Sequence, residues 1–302
     1  MTLSEKNHIK SINKALLYIE EHLEHELSLT EISNIAHYSP YHFHRIFKAF
    51  TKETLNHYIA RKRVEKASAD LLHRDDMSIS ELSTRYGFTS NSSFTRAFKK
   101  FYGMSPSHFR SHTKGKYSKI RQVKSKNGQP ITVFEDYVCQ TTKKNDIGMK
   151  ANIEVKTINS IHTAGITCIG KQQLPHAFNR VLEWAGQKGL LRQPDFKMAT
   201  IFYDSFKITA ADKVRMTASI VLEQALKSNG EINATKLNGG SYIIGHYEIG
   251  IEEFPIVWTN LFKWMNDNGY KKKNQPPFEI YHNDFNQHSE KKCIVDLYIP
   301  VI

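Results

Sequence analysis

SLTEISNIAHYSPYHFHRIFKAF, from Ser28 to Phe50, and SISELSTRYGFTSNSSFTRAFKKF, from Ser78 to Phe101, are two copies of one pattern. Ser28-Leu29-Thr30-Glu31-Ile32-Ser33 recurs as Ser78-Ile79-Ser80-Glu81-Leu82-Ser83 at an offset of fifty, and Tyr38 matches Phe88 at the same offset. Beyond the turn the offset becomes fifty-one, so that Phe43, Arg45, Phe47, Lys48 and Phe50 match Phe94, Arg96, Phe98, Lys99 and Phe101. Self-similarity at a fixed period means one supersecondary unit used twice. Each copy opens on a capping Ser with Glu in the first turn, which predicts a short helix, a tight turn and a second helix. Ile32, Ile35 and Ala36, then Phe43, Ile46, Phe47 and Phe50, fall on one face at helical spacing, as do Leu82 and Tyr86, then Phe94, Ala97, Phe98 and Phe101. These stripes are core, which leaves the opposite face of each second helix free.

That free face carries Tyr41, His44, Arg45 and Lys48 in the first copy and Asn91, Ser92, Thr95, Arg96 and Lys100 in the second. Such donors, acceptors and small contacts suit base edges and phosphates in a DNA major groove. Between the copies, Leu55 to Leu72 reads as one continuous helix containing Arg61-Lys62-Arg63. A rigid spacer of this kind would place two reading heads in successive major-groove segments, about 34 Å apart on one DNA face. The three linker basics, with Lys48, Lys99 and Lys100, are expected on phosphate.

Charge follows the same division. The net charge of +12 resides mostly in residues 1 to 126, which hold 22 Lys and Arg against 12 Asp and Glu, while residues 127 to 302 hold 20 against 18. A polyanion partner is therefore expected for the first part only. A chain of 302 residues predicts about two domains. No apolar run approaches a membrane span, and the N-terminus lacks the apolar core of a secretory signal, so a cytoplasmic location is expected. Cys139, Cys168 and Cys293 are too few and too far apart for a disulfide framework or a metal knuckle. No GxSxG elbow, phosphate-cradling loop or zincin helix occurs, and His42 and His44, two apart, do not share a helix face. Neither an enzyme nor a cofactor or metal is expected.

Residues 111 to 150 are polar, Lys-rich and broken by Gly115, Gly128, Pro130 and Gly148, with one strand-like stretch at Ile131 to Tyr137, and read as a basic linker that packs at most in part. A second repeat follows at an offset of eighty: Gly165, Gly170, Trp184, Gly189 and Asp204 align with Gly245, Gly250, Trp264, Gly269 and Asp284. Each copy reads strand, helix, strand, strand. The first takes Ile158 to Ile169, His176 to Lys188, Ala199 to Tyr203 and Val214 to Leu222; the second takes Tyr242 to Glu248, Phe254 to Asn268, Phe278 to His282 and Cys293 to Pro300. Two such units paired sheet to sheet leave a pseudo-twofold groove between their helices, a natural ligand site.

From Ile9 to Arg110 the chain resembles the AraC/XylS family of bacterial transcription regulators. The residues that carry the likeness are Ala36 to Lys48, the helix from Tyr58 to Leu72, and Tyr86-Gly87-Phe88 through Phe94-Thr95-Arg96-Ala97-Phe98-Lys99-Lys100 to Gly103 and Ser105-Pro106. The resemblance implies base-facing or phosphate-facing positions for Tyr41, His44, Arg45, Asn91, Ser92, Thr95 and Arg96. His37 stands where the family's turn usually has Gly, which predicts a non-glycine residue in a strained turn. Tyr41, His44 and Asn91 replace the Trp or Gln of relatives, which predicts a different operator.

Residues Asn152 to Ile302 resemble the gyrase-inhibitor-like (GyrI-like) effector-binding domain, chiefly through Phe278-Glu279-Ile280-Tyr281 and Asp296-Leu297-Tyr298-Ile299-Pro300. The resemblance implies a carboxylate, here Glu279, in an aromatic pocket for lipophilic and often cationic ligands, with Trp258, Tyr203, Tyr242, Tyr247 and Tyr281 as candidate walls. The fold expectation is an all-α domain of two helix-turn-helix units over 1–110, the linker over 111–150, and an α+β GyrI-like domain of two pseudo-symmetric units over 151–302. The functional expectation is a monomeric or weakly dimeric activator on double-stranded DNA, contacting RNA polymerase and tuned by a small-molecule effector. The alternatives are that the second domain hydrolyses reactive small molecules or binds another protein.

Overall fold

Ser28 and Ser78 each accept a hydrogen bond from the backbone N–H three residues on, and Glu31 and Glu81 reach back to the cap N–H, closing two capping boxes. They start α2 (Leu29–Ile35) and α5 (Ile79–Arg85). Ser39, followed by Pro40, starts α3 (Pro40–Thr51), and Ser90 starts α6 (Asn91–Tyr102). The intervening turns pass through the left-handed region at His37 (φ 60°) and Gly87 (φ 65°), so His37 does hold the turn that glycine usually serves. The computed structural model describes residues 3–73, 77–113, 119–124, 130–135, 152–193, 195–205, 209–226, 228 and 230–302. The chain divides into two units, Met1–Asn145 with Ser205–Lys213, and Asp146–Asp204 with Val214–Ile302.

In the first unit α1 (Leu3–Glu21) precedes the first helix pair, α4 (Leu55–His73) joins the pairs, and α7 (Pro106–Thr113) closes the second. Two aromatic cores result. Ile12, Leu16 and Ile19 of α1 pack with Ile32, Phe43 and Phe47, while Leu82, Phe94, Phe98 and Tyr102 pack with Phe109 of α7. Helix α4 serves both: Leu55, Tyr58 and Ile59 enter the first core, and Val64, Ala67 and Leu71 the second. The expected strand at Ile131 to Tyr137 appears as β2 (Pro130–Glu135), antiparallel to β1 (Lys119–Lys124), inside the segment read as a linker. Positions 136 and 137 and Cys139 lie outside the described residues.

The second unit is one antiparallel sheet in the order β3-β8-β10-β9-β5-β6-β4-β7. Its strands are β3 (Asn152–Ile158), β4 (Ile161–Ile169), β5 (Met198–Phe202), β6 (Arg215–Leu222), β7 (Asn233–Leu237), β8 (Gly240–Ile249), β9 (Phe278–Tyr281) and β10 (Cys293–Pro300). The eighty-residue repeat corresponds to β4-α8-β5-β6 and β8-α9-β9-β10, with α8 at Leu174–Gln187 and α9 at Phe254–Asp267. The leading strands β3 and β7 are exchanged: β3 precedes β4 yet pairs with β8, and β7 precedes β8 yet pairs with β4. Side chains alternate across a strand. Ala164, Ile166, Met216 and Ala218 accordingly meet α8, and Ile243, Val295, Leu297 and Ile299 meet α9. Ala199, Ile201, Tyr242, Ile244, Phe278 and Ile280 form a separate core on the face away from the helices. The pseudo-twofold axis passes between β5 and β9, in the middle of the sheet.

Candidate functional sites

Helix α3 and helix α6 present the same surface. Phe43 and Phe47, like Phe94 and Phe98, are fully buried, and Arg45, Lys48, Arg96, Lys99 and Lys100 are exposed. At matched positions His44 and Thr95 are half-buried. Asn91 and Ser92 are exposed at the start of α6, and Tyr41 at the start of α3 stands 76% exposed, a large ring with no core to fill. The Arg45 guanidinium lies 6.0 Å from the Tyr41 ring centroid. Among the described residues neither Arg45 nor Arg96 is tied to a carboxylate. An arginine free of the protein's own acids keeps its planar fork for an outside acceptor. All nine side chains expected to face DNA thus sit on the outward side of the two second helices.

The basic run in α4 does not. Arg61 and Lys62 are 7% and 2% exposed. The Arg61 guanidinium forks onto Glu53, donating from Nη2 to Oε2 at 2.8 Å, and reaches Glu65 Oε1 from Nη1 at 3.0 Å. Lys62 Nζ lies 3.0 Å from Glu20 Oε2. Arg63 is spent on backbone carbonyls. The expectation that these three meet phosphate is overturned: internal acids hold Arg61 and Lys62, and backbone carbonyls of both helix-turn-helix units hold Arg63.

In the second unit Glu279 sits on β9 at the centre of the sheet, opposite Thr200 of β5. It is 3% exposed and faces the helices. The Trp258 indole Nε1 of α9 donates to Glu279 Oε1 at 2.6 Å, and the Tyr281 hydroxyl donates to Oε2 at 2.5 Å. With Glu279 ionised, the single phenolic proton of Tyr281 is used there and the Thr200 hydroxyl, 3.0 Å away, donates to Tyr281; with Glu279 protonated, the carboxyl O–H donates to Tyr281 and the phenol can donate to Thr200. Burial pushes the Glu279 carboxyl up from 4.5 to about 7, against the opposing hydrogen bonds of Tyr281 and Trp258 and the charge of Lys171. Burial likewise drives the Tyr281 phenol well above its ordinary value.

Aromatic rings close around this carboxyl. Trp258 packs against both helix-to-sheet cores, and its neighbours are Phe202, edge-on at 5.8 Å, and Phe262, stacked at 5.7 Å. Phe178 of α8 meets Tyr281 at 6.1 Å. Of the expected walls, Trp258 and Tyr281 are brought to Glu279. Tyr247 shares the face, but β10 separates its strand from β9, and its buried hydroxyl has no hydrogen-bond partner among the described residues. Tyr203 and Tyr242 belong to the opposite face: Tyr242 donates to the Asn238 carbonyl at 2.8 Å, and Arg215 covers the Tyr203 ring at 4.3 Å. Sequence reasoning missed Thr200, Phe178 and Phe202. The repeat held a signal for one of them, since Phe178 is the mate of Trp258 at the offset of eighty.

Among the described residues no helix is long and apolar enough to cross a membrane, and no group of three or more His, Cys, Asp or Glu is arranged to hold a metal ion. A helix-turn-helix domain model matches residues 32–112, and a GyrI-like small molecule binding domain model matches residues 151–302. The uncharacterized HTH-type transcriptional regulator YbfP of Bacillus subtilis is 37% identical over 105 residues, 35% of this chain and 35% of YbfP. The transposon Tn10 TetD protein of Escherichia coli is 38% identical over 103 residues, 34% of this chain and 74% of TetD. The probable transcription factor PqrA of Proteus vulgaris is 37% identical over 101 residues, 33% of this chain and 82% of PqrA. The likeness therefore spans about a third of YbfP and most of the two shorter relatives.

Proposed function

The chain belongs to the AraC-type helix-turn-helix regulators and carries a GyrI-like small-molecule-binding domain, and from that premise we propose that it is a transcription activator whose two heads read one asymmetric DNA site. The observation that carries this is the matched outward face of α3 and α6, with Arg45 and Arg96 exposed and free of internal acids. Tyr41, His44, Arg45, Asn91, Ser92, Thr95 and Arg96 would contact base edges, and Lys48 and Lys100 phosphate. Contact with RNA polymerase would follow from the promoter position of such a site. Fluorescence anisotropy on promoter duplexes, with unrelated DNA as competitor, tests it. Arg45→Ala and Arg96→Ala should each cost about 1 to 3 kcal/mol and relax preference at one base pair. Equal affinity for promoter and competitor would refute sequence-specific reading.

The effector of the second domain is proposed to be a flat lipophilic cation seated against Glu279. A desolvated carboxyl walled by Trp258, Tyr281, Phe178 and Phe202 rewards positive charge and ring area together. Each carboxyl oxygen accepts one hydrogen bond from the protein, from Trp258 at Oε1 and Tyr281 at Oε2, and an ionised carboxylate keeps further lone pairs for an entering cation. Cation binding favours the carboxylate, hence affinity should rise with pH up to about 7 and level off above it. A thermal-shift series with aromatic cations at pH 5.5 and 8, with Glu279→Gln as control, reads this. A hydrolytic role has one observation in its favour, a buried carboxyl whose pKa is raised to about 7, the range in which a general base works best. Turnover of strained or ester substrates that vanishes in Glu279→Gln would select that reading.

A further inference from the structure

Leu23 and His25 follow α1 in the first helix-turn-helix unit and Gly87 is the turn of the second, yet one side chain of the connecting helix holds all three. Arg63 donates from Nε to the Leu23 carbonyl at 3.0 Å, from Nη2 to the His25 carbonyl at 2.6 Å, and from Nη1 to the Gly87 carbonyl at 2.9 Å. A guanidinium is planar and its donors diverge in fixed directions, so three carbonyls on one fork are fixed relative to one another. The same loop receives a second tie, from Arg85 Nε of α5 to Glu24 Oε1 at 3.2 Å.

Gly87 shows how close the approach is. A Cβ there would lie 2.9 Å from Arg63 Nη2. His37, at the matching turn of the first unit, adopts nearly the same φ with a full side chain, whose Nε2 meets Lys14 Nζ at 3.1 Å. The left-handed turn is thus compatible with a side chain, and what the second turn requires in addition is room for the guanidinium. Arg61 and Lys62, beside Arg63, anchor α4 to Glu53 and Glu20 of the first unit. Helix α4 sets the distance between the heads, and their relative angle is held by the contacts that cross from one to the other, among them Arg85 with Glu24 and the His57 ring 5.1 Å from Phe101. Among the described residues the Arg63 fork is the crossing contact with the most hydrogen bonds, tying the turn of the second head to the loop of the first.

We propose that Arg63 is a positioning residue that sets the angle between the two reading helices and, through it, the half-site spacing that the chain accepts on DNA. This rests on the reading of the first unit as a two-headed DNA binder. One base pair of added spacing shifts the second half-site by about 3.4 Å and rotates it by roughly a tenth of a turn. A rigid pair of heads rejects that displacement, whereas a loosened pair follows it.

The test uses the full chain and a duplex enriched by the wild type from a random library, together with versions lengthened or shortened by one and two base pairs between the half-sites and versions with one half-site scrambled. The wild type should lose roughly tenfold or more in affinity per misplaced base pair. Arg63→Ala should lose roughly tenfold on the selected duplex, bind the displaced spacings almost equally well, and match the wild type on the half-scrambled duplexes. Arg63→Lys, which keeps the charge but cannot fork, should behave as Arg63→Ala does and guards against a failure of the alanine variant to fold. An unchanged spacing profile, or a uniform loss across all duplexes including the half-scrambled ones, overturns the proposal and assigns Arg63 to stability alone. Failure of the wild type to enrich any duplex overturns the DNA-binding reading itself, and the clamp's role with it.

Discussion

Glu279 is a carboxyl that the fold keeps close to neutrality, and this has a consequence for stability. The folded chain holds its proton up to about pH 7, while the unfolded chain releases it near 4.5. Between those values the native state binds more protons than the unfolded one, so stability falls as pH rises across the window and is level above it. The difference corresponds to on the order of 3 kcal/mol. Glu279→Gln keeps an acceptor for Trp258 and supplies a donor, but it never has to ionise. Calorimetry of the intact chain should therefore show the variant's advantage growing from pH 4.5 to 7, then constant to pH 8. An advantage independent of pH would mean that Glu279 ionises as an exposed carboxyl does, and the desolvated site would have to be abandoned.

Helix α4 separates two kinds of basic residue that look alike in sequence. Arg61→Ala removes the guanidinium from buried Glu53, leaving that carboxylate with His57 at 3.1 Å and Lys213 at 4.0 Å, and should destabilise the chain by about 3 kcal/mol in denaturant melts. At a temperature where it is folded, it should leave the salt dependence of DNA binding unchanged. Lys48→Ala and Lys100→Ala should do the reverse, with stability within about 0.5 kcal/mol of wild type and a log-log salt slope shallower by about 0.9 each. The helix pairs were readable beforehand because their signals are local: a Ser cap, a Glu three residues on, and phenylalanines at helical spacing. The direction of Arg61, Lys62 and Arg63 was not, because their partners lie in Glu20, Glu53, Leu23 and Gly87, which only the tertiary fold brings together. Exchange of β3 and β7 escaped for the same reason, each strand pairing across the repeat and not with its sequence neighbour. The misplacement of Tyr242 is different, since strand parity already forbade it: Tyr242 and Tyr247 are an odd number of residues apart on β8 and cannot share a face. Parity likewise separates Tyr203 from Thr200, whose side chain reaches Tyr281.

At the scale of the whole chain, two unlike reading helices on one polypeptide predict an asymmetric site filled by one molecule. A symmetric dimer of single heads reads the same bases twice in opposite directions, so a substitution in its reading helix alters both half-sites together. Here α3 offers Tyr41, His44 and Arg45 while α6 offers Asn91, Ser92, Thr95 and Arg96, two different surfaces on one scaffold. Selection from random duplexes should therefore return a motif of about twenty base pairs without dyad symmetry. Arg45→Ala should blur preference in one half only, Arg96→Ala in the other, and the two losses should add because the heads share no base pair. Mass photometry of the complex should give one chain per duplex. A palindromic motif, blurring of both halves by either substitution, or two chains on a twenty-base-pair duplex would instead place the second head off the DNA, with the symmetry supplied by pairing of chains.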